Sequence, residues 1–259
     1  MKVLYIGCYR DGTGWGKAAE NYILAMDSVG IDVVPRPLKL NQTEISLPPR
    51  IVELEQKDSS DATICIQHVL PHLLEYSTEF DKNIAMYATE TSNFIDSGWS
   101  RQINTMDEAW VINNQMFHAS KDSGVEIPIK VVPHASDFSK FERGYQKLDL
   151  SIPEDNFVFY TIADFNKRKN IEAFIKAFHS EFDPSEPVSI VIKSSKYGME
   201  SENTAIEIRD MCNKVKTGLK RFSNISDYKE DLIITDFVSD EDICRIHNSC
   251  DCFVTSSYG

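Results

Sequence analysis

The sequence predicts an α/β protein of two successive units, each a parallel β-sheet with helices on its faces. Three observations predict it. Short apolar runs that read as buried strands alternate with stretches whose apolar residues recur at i, i+3, i+4 and i+7, the spacing of one helical face. The alternation breaks from Ser139 to Asp155 into charged and polar residues, ending in Ile152-Pro153-Glu154-Asp155, and then resumes. The 259 residues suffice for one large or two medium domains. The expected division is a first domain over 1–140, a linker over 141–156 and a second domain over 157–259.

Lys2 to Ile6 opens the chain as a buried strand. The glycine-rich turn Gly12-Thr-Gly14-Trp-Gly16-Lys17 leads into a helix traced by Ala19, Ile23, Met26 and Val29, which Gly30 can end. Ile31 to Val34 is the next strand. Gly14 and Gly16 are binding candidates, because glycines at a helix start let the backbone approach a ligand closely. With Ala19 they match the dinucleotide pattern GxGxxA. The glycines, however, stand several residues past the strand, and the second strand runs into Pro35-Arg36-Pro37 instead of an acid for a ribose. A polar stretch with a short helix near Ile51 to Gln56 follows. Strands are then expected at Ala62–Ile66, Ile84–Ala88, Ala109–Ile112 and Ile129–Val132, with a helix from Asn114 to Ser123 closed by Gly124.

Ligands of parallel sheets sit beyond the carboxyl ends of the strands. That rule marks His68, Glu90, Asn113 and His134. For His68 and Glu90 the choice lies between a catalytic or acceptor-side role and a local one, capping a loop or bonding a neighbouring carbonyl. For His134 it lies between a ligand contact and orienting the backbone after Pro133. None has metal-ligand spacing, so no protein-bound metal is expected.

The second unit opens on Tyr160–Phe178, YTIADFNKRKNIEAFIKAF. A strand from Phe157 to Ile162 precedes a helix whose buried face is Ile171, Phe174, Ile175 and Phe178, with Asn170 as its expected N-cap. Lys167, Arg168 and Lys169 crowd the positive end of that helix, where negative groups are favoured. The cluster reads either as a diphosphate site, backbone amides and basic side chains closing on an anion, or as a solvated basic loop. Val188 to Ile192 is a strand ending in Lys193, a further binding candidate. An exposed helix from about Ser201 to Gly218 and a strand from Leu232 to Thr235 follow. Ser239-Asp-Glu-Asp242 starts a helix carrying Ile243 and Ile246, and Asp251–Thr255 is the last strand. Six strands in the first unit against four in the second, with apolar surface left uncovered, make the second unit incomplete by expectation.

A net charge of −13 argues against nucleic acid or an anionic membrane as partner and makes a basic pocket more telling. The six cysteines form no CxxC pair; Cys250 and Cys252 read as buried thiols, and a reduced, cytoplasmic setting follows. The start MKVLYIG has one lysine and too few apolar residues, so no signal peptide is expected there, and no stretch approaches the ~20 apolar residues of a membrane span.

Together these residues resemble a family 4 glycosyltransferase of the GT-B fold, two facing Rossmann-like domains with the donor in the cleft. The likeness rests on Gly12-Thr-Gly-Trp-Gly-Lys-Ala-Ala19, on Asp107–Asn113 through Val125 with Val131–Asp137, on Asn166–Asn170 with Ala177-Phe178, and on Asp236–Asp240 through Cys250–Ser257. It implies Lys169 on the donor diphosphate with Arg168 as helper, Gly16 as a backbone donor and His68 at the acceptor side. It sets the Asp236–Ser239 loop, Phe237 and Val238 included, near the nucleotide base. Asp164 stands where the family often has an arginine, five residues before the lysine, and the family's paired glutamates would begin just past Gly259. The implied reaction moves a hexose-type sugar from a nucleoside-diphosphate sugar to a glycan or lipid-linked acceptor with retention, without cofactor or metal. Two rival readings are an incomplete, non-catalytic binding module and a nicotinamide-dependent oxidoreductase; the second leaves the Lys167–Lys169 cluster unexplained.

Overall fold

The structure is a computed structural model that describes residues 1–11, 13–40, 45–196, 198–236 and 238–258, the side chain of Lys140 excepted. The chain folds as two compact units, Met1–Phe138 and Ser139–Gly259.

The first unit runs β1 (Lys2–Gly7), α1 (Gly14–Ser28), β2 (Asp32–Pro37), α2 (Pro49–Glu55), β3 (Ile64–His68), β4 (Lys82–Met86), α3 (Trp99–Ile103), β5 (Glu108–Val111), α4 (Asn114–Asp122) and β6 (Ile129–Val131). The strands form one sheet in the order β2-β1-β3-β4-β5-β6, and every pairing is parallel. Side chains alternate across a pleated sheet, so each strand feeds two cores. Val3, Tyr5, Ile66, Ile84 and Met86 pack with Ala19, Tyr22 and Ile23 of α1 and Ile51 and Leu54 of α2. Ala85, Tyr87, Ala109 and Val111 pack on the other face with Ile103 of α3 and Met116 of α4.

Local chemistry sets the helix ends. Thr13 accepts from the Gly16 amide to start α1, and Asn113 accepts from the Met116 amide to start α4. Gly30 (φ 82°) and Gly124 (φ 86°) take the left-handed conformation just past those helices. Val29, expected on the buried face of α1, is its C-cap and is exposed.

The second unit contains α5 (Ser139–Glu142), β7 (Phe157–Asp164), α6 (Ile171–Glu181), β8 (Val188–Ser195), α7 (Ser201–Leu219), β9 (Asp231–Ile234), α8 (Asp240–Ser249) and β10 (Cys252–Phe253). Its sheet is also parallel, in the order β10-β7-β8-β9. Phe174, Ile175 and Phe178 of α6 and Ile208, Cys212 and Val215 of α7 pack on Ile190 and Ile192. On the opposite face Ile246 of α8 joins Val158, Tyr160 and Val191, and Leu148, Leu150 and Ile152 lie against them. Leu148 is tied there by donating its amide to Ser249 Oγ at 2.8 Å.

The helix expected to be exposed, α7, buries Thr204, Ile208, Cys212, Val215 and Lys216. The polar members of that stripe hide it in the sequence. Lys216 is neutralised from outside the helix: its Nζ lies 2.6 Å from Asp231 Oδ2 and donates to the Lys229 carbonyl at 2.8 Å. The other oxygen of Asp231 is 2.7 Å from His179 Nε2, so one carboxylate on β9 ties α6 to α7. Cys250 and Cys252, expected to be buried, are half-buried: Cys250 is the C-cap of α8, and Cys252 lies on β10, the edge strand of the sheet.

Candidate functional site

In the second unit Ile162 of β7 pairs with Lys193 of β8, and Asp164 with Ser195. Partners in a parallel ladder point the same way, and alternate residues share a face. Val158, Tyr160, Ile162 and Val191 belong to the α8-side core, which puts Asp164 and Lys193 on that same face at the carboxyl ends of their strands.

Beyond β7 the chain makes one 3-10 turn, Lys167–Lys169, in which Asn166 Oδ1 accepts from the Lys169 amide at 3.1 Å. Asn170, expected to cap α6, holds no first-turn amide. Its φ of 49° turns the side chain elsewhere, and Nδ2 donates to the Ser256 carbonyl at 3.2 Å. Ser256 Oγ in turn donates to the Asn170 carbonyl at 2.7 Å, and the Tyr258 amide to the Arg168 carbonyl at 2.9 Å. The segment 256–258 thereby fixes this corner.

A 3-10 turn has three residues per revolution, so successive side chains diverge. Lys169 lines a cavity of about 360 Å³ with Ile162, Asp164, Lys193, Val238 and Ile243. Lys167 lines a separate cavity of about 480 Å³ with Phe165, Asn170, Glu172, Lys196 and Tyr258. Arg168 is exposed and lines neither. The basic cluster is therefore divided, and Lys169 meets Lys193 rather than its sequence neighbours.

Lys193 is 6% exposed, and among the described residues no hydrogen bond or ion pair reaches its ammonium. Burial pushes its pKa below the ordinary lysine value, against an upward pull from Asp236 and Asp164. Val238 lies on the cavity wall; Phe237 falls outside the described residues. Asp236 accepts from Ser201 Oγ at 2.7 Å, and Ser239 opens α8 with a capping box to Asp242.

In the first unit His68 ends β3 beside β1. Its Nδ1 is 2.7 Å from Tyr5 Oη, its ring lies 5.1 Å from that of Trp15 at a tilt of 34°, and Tyr22 meets it edge-on at 5.6 Å. Burial, with a smaller contribution from His134, pushes its pKa down to about 4, so the imidazole is neutral at neutral pH. His134 is exposed, with Nδ1 3.3 Å from Tyr22 Oη. Glu90 is exposed on the loop after β4, next to Thr89, whose hydroxyl is buried with no hydrogen-bond partner among the described residues.

The two glycines of the first turn differ. A Cβ on Gly16 would stand 2.9 Å from the Cys8 carbonyl oxygen, so this glycine packs the helix start against the loop after β1. Its amide donates to Thr13 Oγ1 at 3.1 Å, which leaves Gly14 and Trp15 to supply the first-turn amides that Thr13 does not take. Gly14 faces open space. Gly12 is outside the described residues. Trp15 and Tyr5, not singled out in the sequence, frame His68; the signal for Trp15 was its place inside the glycine-rich turn. Among the described residues no group of three or more His, Cys, Asp or Glu side chains is placed to hold a metal ion, and no helix is long and apolar enough to cross a membrane.

Two parallel Rossmann-like sheets in succession on one chain are the GT-B type of fold, and solved structures of that fold match nearly the full length of this chain. The structure described as "Trehalose-6-phosphate from E. coli bound with UDP-2-fluoro glucose" matches with a TM-score of 0.64 at 9% identity, over 99% of this chain and 78% of that one. An α-glucosyltransferase in complex with UDP and a 13-mer DNA containing an HMU base matches with a TM-score of 0.56 at 15% identity, over 95% and 70%. A glycosyltransferase from Rickettsia africae ESF-5 matches with a TM-score of 0.61 at 9% identity, over 99% and 73%. No protein-family model matches the sequence, and no curated protein does.

Proposed function

We propose that the chain is a family 4-type retaining glycosyltransferase that moves a hexose-type sugar from a nucleoside-diphosphate sugar to a glycan or lipid-linked acceptor. The observation that carries this reading is the cavity at the carboxyl ends of β7 and β8, which gathers Lys169, Lys193 and Val238 in a protein of net charge −13. The fold adds support, since two structures that share it hold UDP-2-fluoro glucose and UDP.

In this reading the donor diphosphate lies against Lys169 and the base near Val238. As the bond from the anomeric carbon to the diphosphate opens, its electron pair goes to the leaving phosphate oxygen, the acceptor oxygen bonds the anomeric carbon, and the acceptor hydroxyl proton passes to the leaving diphosphate. The Lys169 ammonium stabilises the charge that grows there, an effect strengthened where water is excluded. On the acceptor side His68 has Nδ1 engaged by Tyr5, so Nε2 is the ring nitrogen available to an acceptor hydroxyl. Glu90 and Gly14 are the further contacts of this reading; Gly16, whose amide is taken by Thr13, and Arg168, which lines neither cavity, are not placed on the donor by it. The half-buried and buried free cysteines fit a cytoplasmic setting.

Thermal-shift screening with UDP-, GDP- and ADP-sugars tests the reading. One of these donors raises Tm of the wild-type chain, and Lys169→Ala abolishes most of that rise. Equal shifts in the two proteins remove Lys169 from the donor site and the reading with it.

A further inference from the structure

We propose that Lys193 is the second phosphate-binding cation of this site, reaching the donor diphosphate from β8 beside Lys169. The inference rests on the donor-site reading above and adds to it a residue and a reason.

The second unit contains two lysines of nearly equal burial that differ in how their charge is met. Lys216 is 5% exposed and satisfied, with Asp231 at 2.6 Å and the Lys229 carbonyl at 2.8 Å. Lys193 is 6% exposed and has no such partner among the described residues. The Lys193 ammonium is not among the buried side-chain atoms that lack a partner, so its stem is covered while its charged end meets the cavity, where an anionic ligand oxygen can take the place of water. Asp164 and Asp236 act on Lys193 only through space.

Placement fits the same conclusion. Lys193 stands opposite Ile162 in the β7–β8 ladder and rises from the sheet, whereas Lys169 comes from the turn after β7; both line the cavity of about 360 Å³. A diphosphate there meets a cation from each of two elements. With Asp164 lining the same cavity, Lys169 alone would face both the carboxylate and the diphosphate. A second positive group is what balances them, and Lys193 supplies it from a position fixed by the strand.

Calorimetric titration of wild type, Lys193→Met and Lys193→Arg with UDP, GDP and ADP, and with the corresponding nucleosides, tests the inference, alongside Tm without ligand. Lys193→Met should weaken the best nucleoside diphosphate at least tenfold, the range of a lost charge-assisted contact, while the nucleoside binds as before. The ligand-free Tm checks that the variant is folded, and Lys193→Arg should recover much of the lost affinity. A Lys193→Met protein that binds the diphosphate as tightly as wild type overturns the inference. If binding survives in that variant but is lost in Lys169→Ala, the donor site stands without Lys193. Absence of any diphosphate binding by wild type overturns both.

Discussion

Tyr5 Oη stands 2.7 Å from His68 Nδ1, joining the carboxyl half of β1 to the last residue of β3 in a cluster where His68 is 2% exposed. The ring is held neutral: its pKa falls from 6.5 to about 4, chiefly through burial. Between those values the unfolded chain binds the proton and the folded chain does not. His68 therefore contributes stability in full above about pH 6.5 and loses it as pH falls towards 4, by up to about 3 kcal/mol. Urea unfolding at pH 8 and pH 5 should show a stability difference that shrinks in His68→Gln. An equal difference in that variant would place the titration elsewhere.

The glycine-rich turn separates a packing requirement from a binding one. Gly16→Ala sets a Cβ 2.9 Å from the Cys8 carbonyl oxygen, and the loop after β1 must give way. A cost of about 1–3 kcal/mol follows. Gly14→Ala meets nothing within 4 Å and should be neutral or slightly stabilising. Urea midpoints of the two variants measure this, and equal midpoints would remove the close approach as the reason for Gly16.

Asp231 balances two groups on two helices. Burial alone would raise its pKa, but His179 and Lys216 outweigh burial and hold it below the ordinary carboxylate value. A depressed carboxylate contributes stability above its unfolded pKa and loses it as pH falls through the folded one, so this contribution disappears only in acid, below about pH 4. Asp231→Asn leaves Lys216 charged and buried and should cost about 3–5 kcal/mol at pH 7. Adding Lys216→Met should recover part of that loss. Denaturant titrations of the single and double variants give the comparison, and a double variant no better than the single one would mean that packing, not charge, governs this corner.

The strands were legible because buried parallel strands announce themselves as apolar runs, and Val3–Tyr5, Ile64–Ile66 and Val188–Ile192 lie in their cores. Their ends were less so: β9 starts at Asp231, one residue before its apolar run, because that aspartate is paired inside the unit. The buried face of α7 was illegible for the same reason, since Lys216 gains its partner from β9. At the site, Lys169 and Lys193 were each visible as cations at the ends of strands. That they share a cavity depends on the β7–β8 register and on the 3-10 turn that parts Lys169 from Lys167. The left-handed Asn170, held by Ser256 across the unit, is likewise set by a contact 86 residues away.

Asp164 carries the last prediction, because its charge has the wrong sign for a phosphate site. It lies on the same sheet face as Lys193, lines the same cavity and pulls the Lys193 ammonium towards its charged form. Asp164→Arg replaces a carboxylate that repels a diphosphate with a guanidinium that can hold two of its oxygens. Affinity for the best nucleoside diphosphate should rise about tenfold, and the loss caused by Lys193→Met should largely vanish in the double variant. Such strong non-additivity is expected of two cations serving one ligand group. If Asp164→Arg instead leaves diphosphate affinity unchanged and fails to rescue Lys193→Met, the two positions do not serve the same phosphate, and the carboxylate acts on another part of the donor, such as a sugar hydroxyl.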